Sequence, residues 1–171
     1  MPKPAKKNII RKIHTILKAG IFSLIRLISR NMIIPPLRIV LFRLTGIKIG
    51  KLVVINMDTR FLDDFIPGLI QIDDGVAIGP NVTFIACSYP NNSFIGKVYD
   101  FDKRGKIHVR EGAWIGTGAV IHPGVTIGKG AVIGSNAVVT KNVDDFSIMV
   151  GVPARKIGDV RKKSKIILYE T

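Results

Sequence analysis

The chain repeats itself every six residues between residues 109 and 144. An aliphatic residue opens each of six consecutive hexapeptides: Val109, Ile115, Ile121, Ile127, Ile133 and Val139. Four residues after each opener stands a small or β-branched residue: Ala113, Ala119, Val125, Ala131, Ala137 and Val143. A period of six fits neither an amphipathic helix nor one alternating strand, but it is typical of short strands joined by bends.

Three such strands make one coil of about eighteen residues, and successive coils stack as parallel strands about 4.8 Å apart. The openers then form one buried aliphatic column. Glycine follows the opener at 116, 128 and 134, where we expect it to provide a positive φ at the bend. A weaker version of the register runs upstream through Ile49, Ile55 and Phe61, a five-residue step to Ile66, and then Ile72, Ile78 and Phe84.

Two stretches carry a resemblance to a known family. One runs from Trp114 to Lys141 (WIGTGAVIHPGVTIGKGAVIGSNAVVTK), and the other is Gly-Val-Pro-Ala-Arg at 151–155. Together they resemble the hexapeptide-repeat acyltransferases, in particular the maltose, galactoside and polysaccharide O-acetyltransferase branch. The resemblance implies a left-handed β-helix, although crossovers are usually right-handed, and a homotrimer with active sites in the clefts between subunits.

We therefore expect an all-β protein, a left-handed parallel β-helix, with a helical extension at its N-terminus. The β-helix would span residues 43–158 with a loop at 91–106, after a basic amphipathic extension at 1–42 and before a basic tail at 159–171. One domain suits a chain of 171 residues. Cys87 is the single cysteine, which fits a reducing cytoplasm. The three histidines lack the spacing of a ligand set, so we expect no metal.

Positive charge is concentrated at the N-terminus. Residues 1–51 hold twelve Lys or Arg and no acid, whereas the other 120 residues carry 14 basic and 12 acidic groups. Aliphatic residues recur there at three- and four-residue steps, which predicts an amphipathic helix with most of its cations off the apolar stripe. Pro35 and Pro36 end this helix because proline cannot continue it.

Several interpretations of this extension remain open. Its uncharged stretches are too short to span a membrane, and interrupting arginines do not fit a secretory signal. The pattern favours a helix that binds an anionic membrane surface through residues 1–42, and thus a cytoplasmic protein peripheral to the inner face of the cell membrane. Packing on the β-helix or on a neighbouring subunit is the alternative. Nothing in the sequence resembles a nucleic-acid-binding module, so we expect no nucleic acid as partner.

The resemblance implies acetyl-CoA as the acyl donor. The donor-side residues carried over by motif are Trp114 and Thr117 near the thioester, Ser135 further along the arm, and Thr140, Lys141 and Arg155 near the nucleotide. Cations at that end would meet the phosphates. Each of these residues alone also fits a bend or a solvated surface, and it is the whole set in one register that favours a donor site.

The acceptor side is also implied by the resemblance. Asn56 matches an acceptor-side Asn of the galactoside branch, and Asp64 is the second member of an acidic pair that faces the sugar. The loop at 91–106 stands where family members extend an arm over the acceptor. The implied acceptor is a hydroxyl or amino group of a sugar or glycan, including one carried by a membrane lipid.

The catalytic base is the point of departure from the family. Acetylation of an alcohol requires removal of a proton with a pKa far above 7, and histidine is the usual base. The family His falls at Cys87 or at Tyr89, depending on the branch that guides the alignment. Tyr89 is also one of the acceptor-side residues that the resemblance implies, together with Asn56 and Asp64.

Four explanations of the missing His stay open. Another imidazole, His108 or His122, could serve as the base, or Cys87 could accept the acyl group covalently. An amine acceptor could need little help from a base. Finally, the chain could be a CoA-binding or structural trimer that has lost catalysis.

Overall fold

The protein is described here by a computed structural model that covers residues 5–91 and 93–162, with side chains from residue 16 onward. Most of the predicted tail at 159–171 and the first four residues of the predicted extension therefore lie outside the described residues. Two helices come first, α1 (Ala5–Asn31) and α2 (Pro35–Leu44), and a short α3 (Phe94–Val98) follows in the predicted loop. The two prolines that end α1 occupy the first positions of α2, where no hydrogen-bonding N–H is needed.

Short strands wind around three faces. The first face contains β1 (Lys48–Ile49), β4 (Ile70–Ile72), β9 (Ile107–Val109) and β12 (Thr126–Ile127). The second contains β2 (Val54–Ile55), β5 (Ala77–Ile78), β10 (Trp114–Ile115), β13 (Val132–Ile133), β15 (Ser147–Val150) and β16 (Arg155–Asp159). The third contains β3 (Arg60–Leu62), β6 (Thr83–Ile85), β11 (Val120–Ile121) and β14 (Val138–Val139). Strands of one face pair in parallel, except β15 with β16.

The predicted column of openers forms the core, which confirms the parallel coil and its register. Ile115 lies opposite Ile78 of the preceding coil and Ile133 of the following one. All six openers from Val109 to Val139 are buried, as are the small residues four positions later. Full burial of an aliphatic side chain contributes about 1.5–3 kcal/mol, so the column is the main source of stability for the stacked coils.

One predicted opener was wrong. Ile66 is only half-buried and lies in a loop at 63–69 between β3 and β4, so it opens no repeat. The buried residue that follows Phe61 on the next face is Ile72, whose pairing with Ile49 continues the first face. The five-residue step in the sequence is therefore an insertion between faces.

The predicted role of the glycines was also wrong. Gly116, Gly128 and Gly134 do not adopt a positive φ; they are required because the next coil passes too close. A Cβ on Gly128 would lie 2.4 Å from the main-chain nitrogen of Asp145. The left-handed bends come instead three residues after most openers, at positions that include Asp58, Asp64, Gly75, Asn81, Gly112, Gly118, Gly124, Gly130 and Asn136.

Both ends of the β-helix are covered. Phe42 of α2 is buried in the core, with its ring 4.9 Å from that of Phe61. At the other end β16 folds back along β15 in the antiparallel sense. Helix α2 of the predicted extension is thus packed on the β-helix as part of one body.

Candidate functional site

Two insertions leave the β-helix at the same bend, where the third face turns into the first. The loop at 63–69 follows β3, and residues 86–106 follow β6 one coil later. The second insertion begins and ends with β7 (Cys87–Ser88) and β8 (Lys103–Arg104), which pair in the antiparallel sense. We call this bend with its two insertions the insertion corner.

Asp64, Cys87, Tyr89 and Arg104 meet at the insertion corner. The Tyr89 hydroxyl donates to Oδ2 of Asp64 at 2.5 Å and accepts from Nη2 of Arg104 at 2.7 Å. Arg104 Nη2 also lies 3.7 Å from Asp64 Oδ2. Cys87 is the β7 residue paired with Arg104 and lies within reach of both the Tyr89 and Arg104 side chains. We call these four residues the corner cluster.

The corner cluster fixes the protonation of two of its members. The hydrogen bond to Asp64 raises the pKa of Tyr89 to about 12, and Cys87 acts in the same direction while Arg104 opposes it. Tyr89 and Cys87 in turn hold the pKa of Arg104 above its usual range. At neutral pH Tyr89 is therefore a hydrogen-bond donor and Arg104 a permanent cation, so neither can act as a base.

Cys87 marks the point where the chain leaves the β-helix. It stands three residues after the buried Phe84, where the neighbouring coils carry the left-handed residues Asp64 and Gly124. Cys87 instead starts β7, and its side chain is 6% exposed. The structure thus brings together both positions at which the family His could fall, Cys87 and Tyr89, together with the predicted acceptor residue Asp64.

Asp63 and Asp64 have opposite environments although they are adjacent. Asp63 is 1% exposed and bound by Arg26 of α1, whereas Asp64 is exposed in the corner cluster. Only the second carboxylate is available to a ligand, as the resemblance implies for this pair.

Asn56 does not join the corner cluster. It lies at the bend between the second and third faces, on the opposite edge of the third face from Asp64. Its Nδ2 donates to the carbonyl oxygen of Ile78 at 2.9 Å, which holds the side chain against the next coil.

The donor-side residues divide between the same two edges. Thr117 and Ser135 lie on successive coils at the Asn56 edge, where the N–H of Asn136 donates to the Thr117 carbonyl at 2.8 Å. Trp114 precedes them on the outer side of β10 and is more than half exposed. Thr140 and Lys141 follow β14 at the opposite edge, and Arg155 begins β16. One protomer therefore does not gather the whole set into one groove.

The chain is similar to known proteins in its repeat and in its fold. The profile of the bacterial transferase hexapeptide (six repeats) matches residues 106–141. A hexapeptide-repeat acetyltransferase from Vibrio cholerae superposes with a TM-score of 0.71 and 25% identity, covering 86% of this chain and 93% of that one. The chain is thus similar to the hexapeptide-repeat acyltransferases in both its repeat and its fold. The family predicted from the sequence is thus confirmed.

Further structures resemble this acyltransferase. The Vibrio cholerae O1 biovar eltor protein complexed with acetyl-CoA matches with a TM-score of 0.67 and 27% identity, over 84% of this chain and 85% of that one. A galactoside acetyltransferase in complex with coenzyme A shares the fold at a TM-score of 0.65 and 23% identity, over 91% of this chain and 88% of that one. No curated protein sequence matches the chain significantly.

The two imidazoles of the acyltransferase β-helix occupy different faces. His122 follows β11 at the bend that carries the insertion corner, one residue beyond the Ile121–Phe84 pair. His108 lies on the first face, with Nε2 2.8 Å from Oδ2 of Asp73. Burial tends to raise the pKa of Asp73, but hydrogen bonds from Gln71 and His108 outweigh it and hold that pKa below its usual value.

Two residues of this region were not predicted from the sequence. Arg104 gave no signal of its own, because its contact with Tyr89 spans 15 positions. Asp73 carried no signal at all, since nothing in the repeat indicates that its carboxylate meets His108. Among the described residues, no group of three or more His, Cys, Asp or Glu is arranged to hold a metal ion.

Proposed function

We propose that this acyltransferase moves the acetyl group of acetyl-CoA to a hydroxyl group of a sugar or glycan. The observation that carries the proposal is the fold it shares with the acetyl-CoA complex from Vibrio cholerae, at 27% identity over 84% of the chain. As part of the same proposal, the β-helix is left-handed, the protein is a homotrimer, and the residues named above as donor-side and acceptor-side residues form the site.

A homotrimer would unite the two halves of the donor site. Thr117 and Ser135 lie at one edge of the third face, and Thr140 and Lys141 lie at the other. A cleft between copies brings one edge of a protomer against the opposite edge of its neighbour, so the pantetheine arm and the nucleotide each find their residues. Lys141 and Arg155, both exposed, would then form charge-assisted hydrogen bonds with the phosphates.

The second insertion, at residues 86–106, supports such an assembly. It exposes a row of large apolar side chains over a short stretch, namely Phe94, Ile95, Val98, Tyr99 and Phe101. Contiguous exposed apolar surface marks interaction sites. If this insertion packed on a neighbouring subunit, these side chains would be covered.

The corner cluster is suited to bind a polyhydroxyl acceptor. Asp64 accepts hydrogen bonds, while Arg104 and the protonated Tyr89 donate them. An acceptor held there lies beside Cys87, at the position that the family uses for its base. Asn56 would reach the same cleft from the edge of a neighbouring protomer.

The reaction requires one proton transfer that the corner cluster does not provide. The acceptor oxygen attacks the thioester carbonyl carbon, its proton passes to a base, the C–S bond breaks, and the departing thiolate of CoA takes a proton. His122 is the imidazole at the same bend as the cluster. His108, oriented by Asp73, is the second choice, because it lies on the adjacent face.

A second function remains in competition, that of a CoA-binding or structural trimer without turnover. One observation favours it: Asp64, Tyr89 and Arg104 satisfy one another by hydrogen bonds, and none of the cluster is an imidazole. The donor-side residues are compatible with the enzyme and with a protein that binds CoA without turnover.

The two functions are separated by release of free thiol from acetyl-CoA, measured with and without a panel of sugars and amines. We expect release that depends on one acceptor, with His122→Ala reducing it far more than His108→Ala. Binding of CoA without any acceptor-dependent release would favour the second function. Failure to bind CoA at millimolar concentration would remove the enzyme and the CoA-binding function and leave only a structural trimer.

A further inference from the structure

Arginines attach the N-terminal helices to the β-helix. Arg26 of α1 binds both carboxylate oxygens of Asp63 and the carbonyl oxygen of Phe61. Arg38 of α2 donates to the carbonyl oxygen of Ile55 at 2.5 Å, and Arg43 donates to the carbonyl oxygens of Ile49 and Gly50. These three arginines therefore face the protein, where an ordinary amphipathic helix on a globular core would place apolar residues.

The aliphatic side of the same helices faces outward. On α1 the exposed residues Ile16, Leu17, Ile21, Leu24, Leu27 and Ile28 fall within one sector of the helix. The stripe continues through the connecting turn and along α2 with Ile33, Ile34, Leu37, Val40 and Leu44. The most exposed member, Ile33, is 82% exposed. We call these eleven residues the outer stripe.

The outer stripe lies in a segment of one charge sign. Residues 1–51 contain twelve Lys or Arg and no Asp or Glu. Four of these cations, Arg26, Arg30, Arg38 and Arg43, lie on the side turned to the β-helix or beside Asp58. The others belong to the same acid-free segment as the stripe, among them the exposed Lys18 and Lys51.

We infer that the outer stripe binds the surface of an anionic lipid membrane, with α1 and α2 lying in the plane of the headgroups. An apolar face beside excess Lys and Arg matches both components of such a surface, since each cation near it adds to the attraction. Among the described residues no helix is long and apolar enough to cross a bilayer, so the stripe would lie on the membrane.

A second copy of the chain is the less favourable occupant. A twofold contact through the outer stripe would bring two acid-free segments together, each with twelve Lys or Arg, of which Arg26 and Arg30 have carboxylate partners on the β-helix. Like charges facing each other across an interface oppose association. Anionic headgroups supply the missing negative charge.

The attachment would place the insertion corner near the lipid. Arg26 binds Asp63, and the next residue, Asp64, belongs to the corner cluster. The ring of Phe22 in α1 also contacts that of Phe65, with 5.6 Å between their centres. Under the proposed function, an acceptor sugar on a membrane-bound carrier would then find the site beside the leaflet. The lipid inference itself does not depend on that function.

Flotation of the full chain with lipid vesicles tests the inference. We expect binding to phosphatidylcholine vesicles that contain about 30% phosphatidylglycerol and little binding to pure phosphatidylcholine. Raising the salt from about 50 mM to about 500 mM should release much of the protein, because screening weakens the attraction. The double variant Leu24→Glu, Leu27→Glu should bind at least about tenfold more weakly, since two exposed apolar side chains are lost from the stripe.

The matched control is Ile157→Glu, which introduces the same kind of change at an exposed apolar residue of β16, at the far end of the β-helix. It should bind like the parent, and circular dichroism should show all variants folded. Equal flotation of the double variant and the parent would overturn the inference. So would a change of oligomeric state in the double variant, measured by light scattering, because the stripe would then be a contact between copies.

Discussion

Arg26 of α1 binds Asp63 of the β-helix through both carboxylate oxygens, at 2.5 and 3.0 Å. The same guanidinium lies 4.4 Å from the centre of the Phe65 ring and donates to the hydroxyl of Thr45 at 3.0 Å. Arg26 is 12% and Asp63 1% exposed, so water does little to screen the pair. This contact joins the segment we assign to lipid with the loop that carries Asp64.

Arg26→Ala should therefore destabilise the protein strongly. Removing one partner leaves the Asp63 carboxylate buried without a cation, which costs about 3–5 kcal/mol. The free energy of unfolding in urea measures the effect. Arg30→Ala is the control, because Arg30 and Asp58 are partly exposed at 3.6 Å and such a pair contributes at most about 1 kcal/mol. Equal losses in the two variants would contradict the assignment.

Substitution of Cys87 distinguishes the routes of acyl transfer. If an imidazole elsewhere is the base, Cys87→Ala should keep most activity, and Cys87→His should raise it by about 10²-fold by restoring a base at the family position. If Cys87 carries the acetyl group, Cys87→Ala should be inactive and mass spectrometry should find an acetyl adduct on the parent. Inactivity of all three forms with CoA binding retained would leave the non-catalytic function.

Tyr89 should ionise only at high pH. The contact with Asp64 raises its pKa to about 12, so the folded state favours the protonated phenol. The corresponding stabilisation is present below about pH 10, the ordinary pKa of tyrosine, and is lost as the pH rises towards 12. The difference in phenolate absorbance between the parent and Tyr89→Phe gives the titration, and Asp64→Asn should move it downward. A midpoint near 10 in the parent would show that the contact does not form.

Glycine after an opener should be irreplaceable for a steric reason. Gly128→Ala places a Cβ 2.4 Å from the nitrogen of Asp145, so adjacent coils must separate, at a cost of about 1–3 kcal/mol or more. Gly20→Ala in α1 is the matched substitution, since nothing lies within 4 Å of its Cβ. It should stabilise the protein by up to about 1 kcal/mol through helix propensity. Thermal unfolding should show shifts of opposite sign.

Donor binding should depend on Lys141 and Arg155. Substitution of either by Ala should weaken CoA binding by about 1–3 kcal/mol, because a charge-assisted phosphate contact is lost. Calorimetric titration measures the change. Lys129→Ala is the control, since Lys129 is paired with Glu111 at 2.8 Å. Unchanged affinity in both test variants would place the nucleotide elsewhere.

The β-helix could be predicted from the sequence because every coil meets the same requirement. A triangular coil has room for one aliphatic side chain per face, so the period of six appears directly in the sequence. Ile66 misled the prediction because an aliphatic residue in a five-residue insertion looks like an opener. The glycines misled it because two demands, a positive φ and close approach of the next coil, both select glycine.

The corner cluster and the orientation of α1 were harder to predict. Asp64 comes from one insertion, and Tyr89 and Arg104 come from the two ends of the other, so only the stacking of the two insertions at one corner brings them together. The helix period predicted an apolar and a cationic side, but it contains no information on which side meets the protein. The orientation of α1 depends on Asp63, a buried carboxylate that follows Arg26 by 37 residues in the sequence.

The covered ends of the β-helix have a consequence for aggregation. A stack of parallel strands exposes unpaired N–H and C=O groups at each end, and another chain can add there to make an open fibre. Here α2 with Phe42 closes one end, and the reversed strand β16 closes the other against addition in the parallel sense. The chain can thus keep a regular, strongly hydrophobic repeat without polymerising along its own axis.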